Sequence, residues 1–488
     1  MTFRFLPRSR RRWNQVINTL LLISLVLLVL HFQDITNELV GSGGEAAAVR
    51  HTSRNLEAVD ESLAPCPLHV ELADVQELAK NSSLNKVAPC RPTNPRAGTD
   101  GITKVLLVTY QRSGSSFLGE LLNQNPDTFY MFEPVDAVYA ATYGTGYGWN
   151  VPDHIMSNDY GNAREHSPDE VTAVAEALRA ILTCDFSHVP TPVLTHTFLR
   201  VFFKRINRLQ PFVNCLGKRK AIAVSYRCRR FLDKFCPRKY YPGSALEFCH
   251  LGIMGKLDSN MKVPLTLFDV FAKHKMGLED VKKGFLEYNQ CIKEVKVHSD
   301  QCLSHVKPVC QKSSMRGIKT VRVSMEMAIH LLKHIPDLKI IHNVRDPRGV
   351  TLSRMRINHG DMMSSSSGAD IVKEARILCA TMARHIQLRR ALEKLRPGTS
   401  MQVTYEDFAS RPLEVARDIY RFIGHQLPPQ VTEWLRVNAL GEEHGKAKAR
   451  NASAISQAWE NKISFSKAKQ IDGYCRTLYD MVSNRWGT

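Results

Sequence analysis

The chain has 488 residues, 43% hydrophobic and 23% charged, which excludes an intrinsically disordered protein and leaves enough material for one large or two ordinary domains. Lys and Arg outnumber Asp and Glu by 66 to 47, and the first fifteen residues carry only five of that +19 excess. The remaining +14 favours a polyanionic partner, such as nucleic acid, an acidic membrane face or an acidic polysaccharide, although a generally basic solvated surface would carry the same charge.

In chain order, residues 1–15 form a basic tail, and residues 16–32, VINTLLLISLVLLVLHF, form an apolar run without a charged side chain. At about 1.5 Å per residue the run spans roughly 25 Å, suited to a thin bilayer. Arginines before it and Asp34 and Glu38 after it direct the N-terminus to the cytosol and the remainder to the lumen, as in a single-pass type II protein. A cleaved signal peptide shows the same order of features, but its apolar core is shorter and ends at small residues, which HFQDITNEL lacks. Residues 33–100, rich in Gly, Ala, Ser, Asn and Pro, read as a flexible stem. The twelve cysteines agree with an oxidising lumen. Cys66 and Cys90 are placed to close a loop in the stem, and Cys215, Cys228, Cys236, Cys249, Cys291, Cys302 and Cys310 crowd into an insertion at about 200–315. No CxxC pair has a matching second pair, so disulfides are expected there and zinc is not; spacing leaves their connectivity open. Asn81 and Asn451 stand in glycosylation sequons.

The globular domain, 101–488, opens with ITKVLLVTY, a continuous apolar run suited to a buried parallel strand. The turn QRSGSS and a helix from near Ser115 follow. A second helix is signalled at 167–182, with Ser167 as N-cap, Pro168 in the first turn and Glu170 closing a capping box. GIKTVRV, LKIIHNV and SMQVTYEDF then read as strands, each followed by a helical pattern. This alternation predicts an α/β fold with a P-loop-like parallel sheet flanked by helices and ligand sites at the C-terminal strand ends.

The turn has the layout of a phosphate cradle without the lysine of a nucleotide-triphosphate P-loop. Backbone N–H groups at the helix start, the forked cation of Arg112 and the hydroxyls of Ser113, Ser115 and Ser116 are its expected anion donors, and a plain strand-to-helix connection is the bland alternative. IIHNVRDPRGVTLSR places Arg345 at a strand end and Ser353 two turns into the next helix, suited to a second, separate phosphate. The bland alternative is that Arg345 and Asp346 pair with neighbours and Arg348 is a solvated charge.

Together, TYQRSGSSFLGELLNQNPDTFYMFEP and VRDPRGVTLSR resemble the 5′-phosphosulfate and 3′-phosphate segments of the Golgi carbohydrate 6-O-sulfotransferases of galactose, N-acetylgalactosamine and N-acetylglucosamine. LTCDFS, IKTVR and VTYEDFASRP extend the resemblance over most of 102–425. The resemblance implies 3′-phosphoadenosine 5′-phosphosulfate as donor, no metal, and a lumenal Golgi membrane enzyme. Its donor site is formed by Arg112, Ser113, Gly114, Ser115, Ser116, Phe117, Arg345 and Ser353, with Arg112 beside the leaving group. Glu133 of MFEP is the expected base, with pairing to an arginine as the bland alternative; His196, His342 and His359 are fallbacks. The acceptor that the resemblance implies is an anionic or neutral glycan of chondroitin, keratan or N-acetyllactosamine type. Arg200, Lys204, Arg205, Lys218, Arg219, Lys220, Arg229 and Arg230 are candidates for its binding surface. Nucleic acid is not an expected partner, and a homodimer is compatible with the pattern. The family's tryptophan–basic pair is replaced here by Trp459–Glu460. A lumenal nucleotide kinase would require the missing lysine and magnesium-binding acids, and a non-catalytic glycan-binding protein would not require two intact cradles.

Overall fold

The computed structural model describes residues 101–136, 163–196, 207–232, 275–359, 368–440 and 452–482, with shorter pieces between Cys66 and Cys90, between Cys236 and Ala272, and at Leu199 and Trp486. The expected anchor at 16–32, the asparagines of both sequons, and Arg200, Lys204 and Arg205 lie outside the described residues. Among the described residues no helix is long and apolar enough to cross a membrane.

Among the described residues, five parallel strands form one sheet in the order β2-β3-β1-β4-β5. They are β1 (Thr103–Val108), β2 (Thr128–Phe132), β3 (Met315–Thr320), β4 (Lys339–Val344) and β5 (Ser400–Thr404). β1 is buried along its whole length, which explains why its sequence is a continuous apolar run and not an alternating one. At its end Val108 lies level with Thr320 of β3 and His342 of β4. The chain crosses from one side of β1 to the other between β3 and β4, so a topological switch point lies at the C-terminal end of β1, the usual ligand crevice of such sheets.

Helices cover the sheet: α1 (Ser115–Asn123), α2 (Pro168–Leu182), α3 (Gln210–Lys218), α4 (Ala221–Cys228), α5 (Leu278–Asp300), α6 (Met325–Leu331), α7 (Pro347–His359), α8 (Gly368–Leu395), α9 (Tyr405–Ser410), α10 (Pro412–Phe422) and α11 (Phe465–Met481). α2 starts as its sequence signals, with the Ser167 hydroxyl accepting from the Glu170 N–H and Pro168 at the first position. The Glu170 carboxylate itself is buried and accepts from Arg164 at 2.8 Å.

The segment read as stem contains structure that its composition conceals. A helix at Leu72–Lys80 packs Val75 into the main core beside Val70, and Cys66 bonds Cys90. The helix carries Leu72, Val75, Leu78 and Ala79 on one face, a periodic signal only nine residues long, and tertiary packing supplies what so short a helix cannot supply alone.

All twelve cysteines are paired. Cys215–Cys302 and Cys228–Cys291 fasten α3 and α4 to the long α5, Cys236–Cys249 closes a loop between them, and Cys184–Cys310 ties the end of α2 to the approach to β3. Cys379–Cys475 joins α8 to α11 across 96 residues of chain. Replacing both cysteines of that last pair by serine is expected to cost about 2–5 kcal/mol of unfolding free energy, measured by denaturant titration, because the open chain regains loop entropy.

Candidate active site

The turn after β1 is locked from within. Ser113 is fully buried, its hydroxyl donates to the Tyr110 carbonyl at 2.7 Å, and its N–H donates to the same carbonyl at 3.1 Å. Asn343, on β4, donates to the Ser113 carbonyl and hydroxyl at 2.9 and 3.0 Å. The Ser113 hydroxyl, expected to serve a ligand, is turned inward here and shapes the turn. Arg112 and Gly114 both take left-handed backbone, with φ of 70° and 79°. For Arg112, which has a Cβ, that conformation costs about 1–2 kcal/mol. At Gly114 a Cβ would also collide with the Tyr405 ring, so only glycine fits.

The Phe117 and Leu118 N–H groups both donate to the Gly114 carbonyl, at 2.9 and 3.2 Å. Those of Gly114, Ser115 and Ser116 take no backbone acceptor among the described residues. Three donors at the positive end of α1, joined by the half-buried Ser116 side chain, make an anion-binding concavity. The Phe117 ring points away, packing on Phe408 with centroids 4.4 Å apart.

The second expected segment meets the first. Arg112 is exposed, and its Nε donates to the Ser353 hydroxyl at 2.9 Å. Arg345 is buried; one of its terminal nitrogens donates to the Arg112 carbonyl at 2.9 Å, and its guanidinium lies 4.5 Å from the centre of the Tyr405 ring. Its Nε has no hydrogen-bond partner, and no carboxylate pairs with it among the described residues. The unsatisfied Nε is costly to bury, the Glu406 carboxylate being near enough to feel the charge but not bonded to it, and an anion between Arg345, Arg112 and Ser353 would satisfy that donor.

Arg348 differs in kind. It is buried rather than solvated, pairs with Asp346 at 2.8 Å and Asp472 at 3.3 Å, donates to the Trp486 carbonyl at 2.6 Å, and lies 4.5 Å from the Trp459 ring. It fastens the C-terminal segment to α7. Trp459 also abuts Gly349, whereas Glu460 is exposed.

Glu133 follows β2 with left-handed backbone (φ 47°). Its carboxylate is buried between the Lys319 ammonium and a terminal nitrogen of Arg322, the latter at 2.9 Å. Burial pushes its pKa up, but the two cations and their hydrogen bonds outweigh burial and hold it below the usual glutamate range. Glu133 is thus ionised and pairs with an arginine, as in the bland alternative, and also with a lysine. Both cations sit at the end of β3 within GIKTVRV, where charges in a buried run were the available signal.

The fallback histidines are poor bases. His196 is pushed down to about 3 by burial and by Arg322 and Arg229. His342, fully buried, is pushed well below its ordinary value by burial and His385. It belongs to a polar chain beneath the turn, in which the Tyr110 hydroxyl lies 2.9 Å from His342 Nε2 and 2.8 Å from His385 Nδ1, and His385 faces Glu326 at 3.6 Å. The side chain of His359 lies outside those described. Lys218, Arg219, Lys220 and Arg230 are exposed on the disulfide-bonded insertion, and Arg229 is half-buried.

A cradle at the switch point, a second cationic arm and a buried acid at a third strand end are the parts that a group-transfer site requires. Residues 105–429, two thirds of the chain, match the sulfotransferase family. The chain belongs to that family. It is 25% identical over 430 residues to human carbohydrate sulfotransferase 2, covering 79% of this chain and 66% of that one. Human carbohydrate sulfotransferase 5 is 24% identical over 413 residues, with 81% and 80% covered, and human carbohydrate sulfotransferase 3 is 23% identical over 389 residues, with 76% and 65% covered. The present sulfotransferase thus spans slightly less than two thirds of carbohydrate sulfotransferase 2, at 66% of the human and 64% of the mouse protein.

Proposed function

We propose that this sulfotransferase moves a sulfuryl group from 3′-phosphoadenosine 5′-phosphosulfate to the 6-hydroxyl of galactose, N-acetylgalactosamine or N-acetylglucosamine in a glycosaminoglycan or glycoprotein glycan. It does so in the Golgi lumen, anchored by residues 16–32. The observation that carries the reading is the unpartnered, buried Nε of Arg345 beside a glycine-restricted turn with three free N–H donors. A ligand with anionic groups at two separated positions fits those two features, and the donor has such groups. The names of the carbohydrate sulfotransferases support a sugar acceptor.

The donor supplies the sulfuryl group and departs as adenosine 3′,5′-bisphosphate. Gly114, Ser115 and Ser116 hold its 5′ end through backbone donors, and Arg345 with Ser353 its 3′-phosphate. Arg112 keeps its charge at any working pH, so it stabilises the leaving oxygen by charge and hydrogen bonding and not by giving up a proton. In this reading Glu133, ionised and directed by Lys319 and Arg322, accepts the acceptor proton, although the same two cations weaken it as a base.

Transfer of radiolabelled sulfate by the detergent-solubilised full chain to desulfated chondroitin, keratan, heparan and N-acetyllactosamine tests the reading. Label at the 6-position of one acceptor supports it and names the glycan. Donor binding without transfer to any of them would favour a non-catalytic glycan-binding protein.

A further inference from the structure

Glu133 does not stand alone. The turn Glu133–Asp136 is closed by the Asp136 N–H donating to the Glu133 carbonyl at 3.0 Å, which brings a second carboxylate beside the first. Asp136 is fully buried, and the same Arg322 nitrogen that holds Glu133 at 2.9 Å also meets an Asp136 oxygen. That contact is not a well-directed hydrogen bond, and neither Asp136 oxygen has any other hydrogen-bond partner. Two buried acids therefore share one cationic nitrogen, and Glu133 also makes the direct ion pair with Lys319.

The groups facing Asp136 are few: Glu133 on its own turn, Arg322 and Lys319 from the end of β3, and His196 at 3.8 Å, itself near Arg229 of the insertion. Burial raises Asp136 most, Arg322 opposes this, and the Glu133 charge adds to it, leaving Asp136 at about 7 while Glu133 stays low. Neighbouring acids whose environments push their proton affinities apart serve different roles in a reaction.

We propose that Asp136 is a positioning residue that sets the basicity of Glu133 through their shared Arg322, competing for that guanidinium when ionised and releasing it to Glu133 when protonated. The inference rests on the proposed role of Glu133 in sulfuryl transfer. With Asp136 neutral, Arg322 is committed to Glu133 and the base is weak. With Asp136 charged, the added negative charge and divided guanidinium raise the proton affinity of Glu133. Activity therefore rises as pH increases through the Asp136 titration. Asp136 has no exposed surface and does not itself contact the acceptor.

The test is the pH profile of kcat/KM for the acceptor, taken with the full chain, beside Asp136→Asn and Asp136→Glu. The wild type is expected to gain about tenfold between pH 6 and 8 with an inflection near 7. Asp136→Asn is expected to stay at the low-pH rate with donor affinity unchanged, and Asp136→Glu to restore an inflection at a displaced pH. A wild-type profile in Asp136→Asn, or a loss of equal size at every pH, overturns the proposal, the latter by making Asp136 merely structural. Carboxyl-carbon NMR on protein labelled in Asp and Glu supplies a readout independent of turnover. The Glu133 signal, assigned by Glu133→Gln, should respond near pH 7 in the wild type and not in Asp136→Asn, or in Asp136→Glu at its displaced pH if the asparagine variant does not fold. No such response overturns the linkage, whereas a response without sulfate transfer at any pH removes the proposed activity and leaves the linkage standing.

Discussion

Glu133→Gln is expected to lower kcat by 10²- to 10⁴-fold while leaving donor affinity unchanged, the range associated with loss of a positioned proton acceptor. Glutamine keeps the length of the side chain and can still accept from Arg322, so the acceptor pocket keeps its shape. What disappears is the charge. Lys319 and Arg322 are almost fully buried and both pair with the Glu133 carboxylate, so the same variant is expected to lose about 3–5 kcal/mol of stability. Steady-state kinetics below the lowered melting temperature, with donor affinity measured separately, distinguishes the two effects. A kcat within tenfold of wild type would remove Glu133 from the chemistry and leave it as a structural anchor of β2.

Arg112→Ala is expected to reduce kcat by 10²- to 10³-fold, about 2.7–4 kcal/mol of transition-state stabilisation, with a smaller change in donor affinity. The asymmetry follows from the geometry. Arg112 is exposed and reaches Ser353 through its Nε, so solvent and ligand have access to its charge, whereas Arg345 is buried against Tyr405 and already committed to the Arg112 carbonyl. Alanine at 112 keeps the left-handed backbone strain and loses the cation, so the melting temperature should move little. Arg112→Lys should recover part of the rate, since a point charge replaces the fork. Equal losses for alanine and lysine would mean that the fork, and not the charge, is what matters at this position.

These effects concern residues that differ in how readable they were from sequence. β1, β3, β4 and β5 and the turn at Arg112–Ser116 were legible because a continuous apolar run, a lone glycine and a following helical pattern are local signals. Arg345 and Ser353 were legible for the same reason, being eight residues apart on one strand–helix unit. The inward rotation of Ser113 was not, because the group that captures its carbonyl and hydroxyl, Asn343, is 230 positions away. Nor was the environment of Glu133, whose partners Lys319 and Arg322 lie 186 and 189 positions downstream. Strand β2 is not legible, since TFYMF carries no alternation that distinguishes a short buried strand. The disulfide pairing depends on how α3 and α4 dock on α5, and spacing holds no trace of it.

The central claim is that one ligand with two separated anionic ends fits the cradle of α1 and the arm at Arg345. Calorimetric titration of the detergent-solubilised full chain with adenosine 3′,5′-bisphosphate, beside adenosine 5′-monophosphate, tests it directly. The account predicts a single site for the bisphosphate and at least a hundredfold weaker binding, about 2.7 kcal/mol, once the 3′-phosphate is removed. Equal affinity for the two nucleotides, or no heat from either, would contradict it.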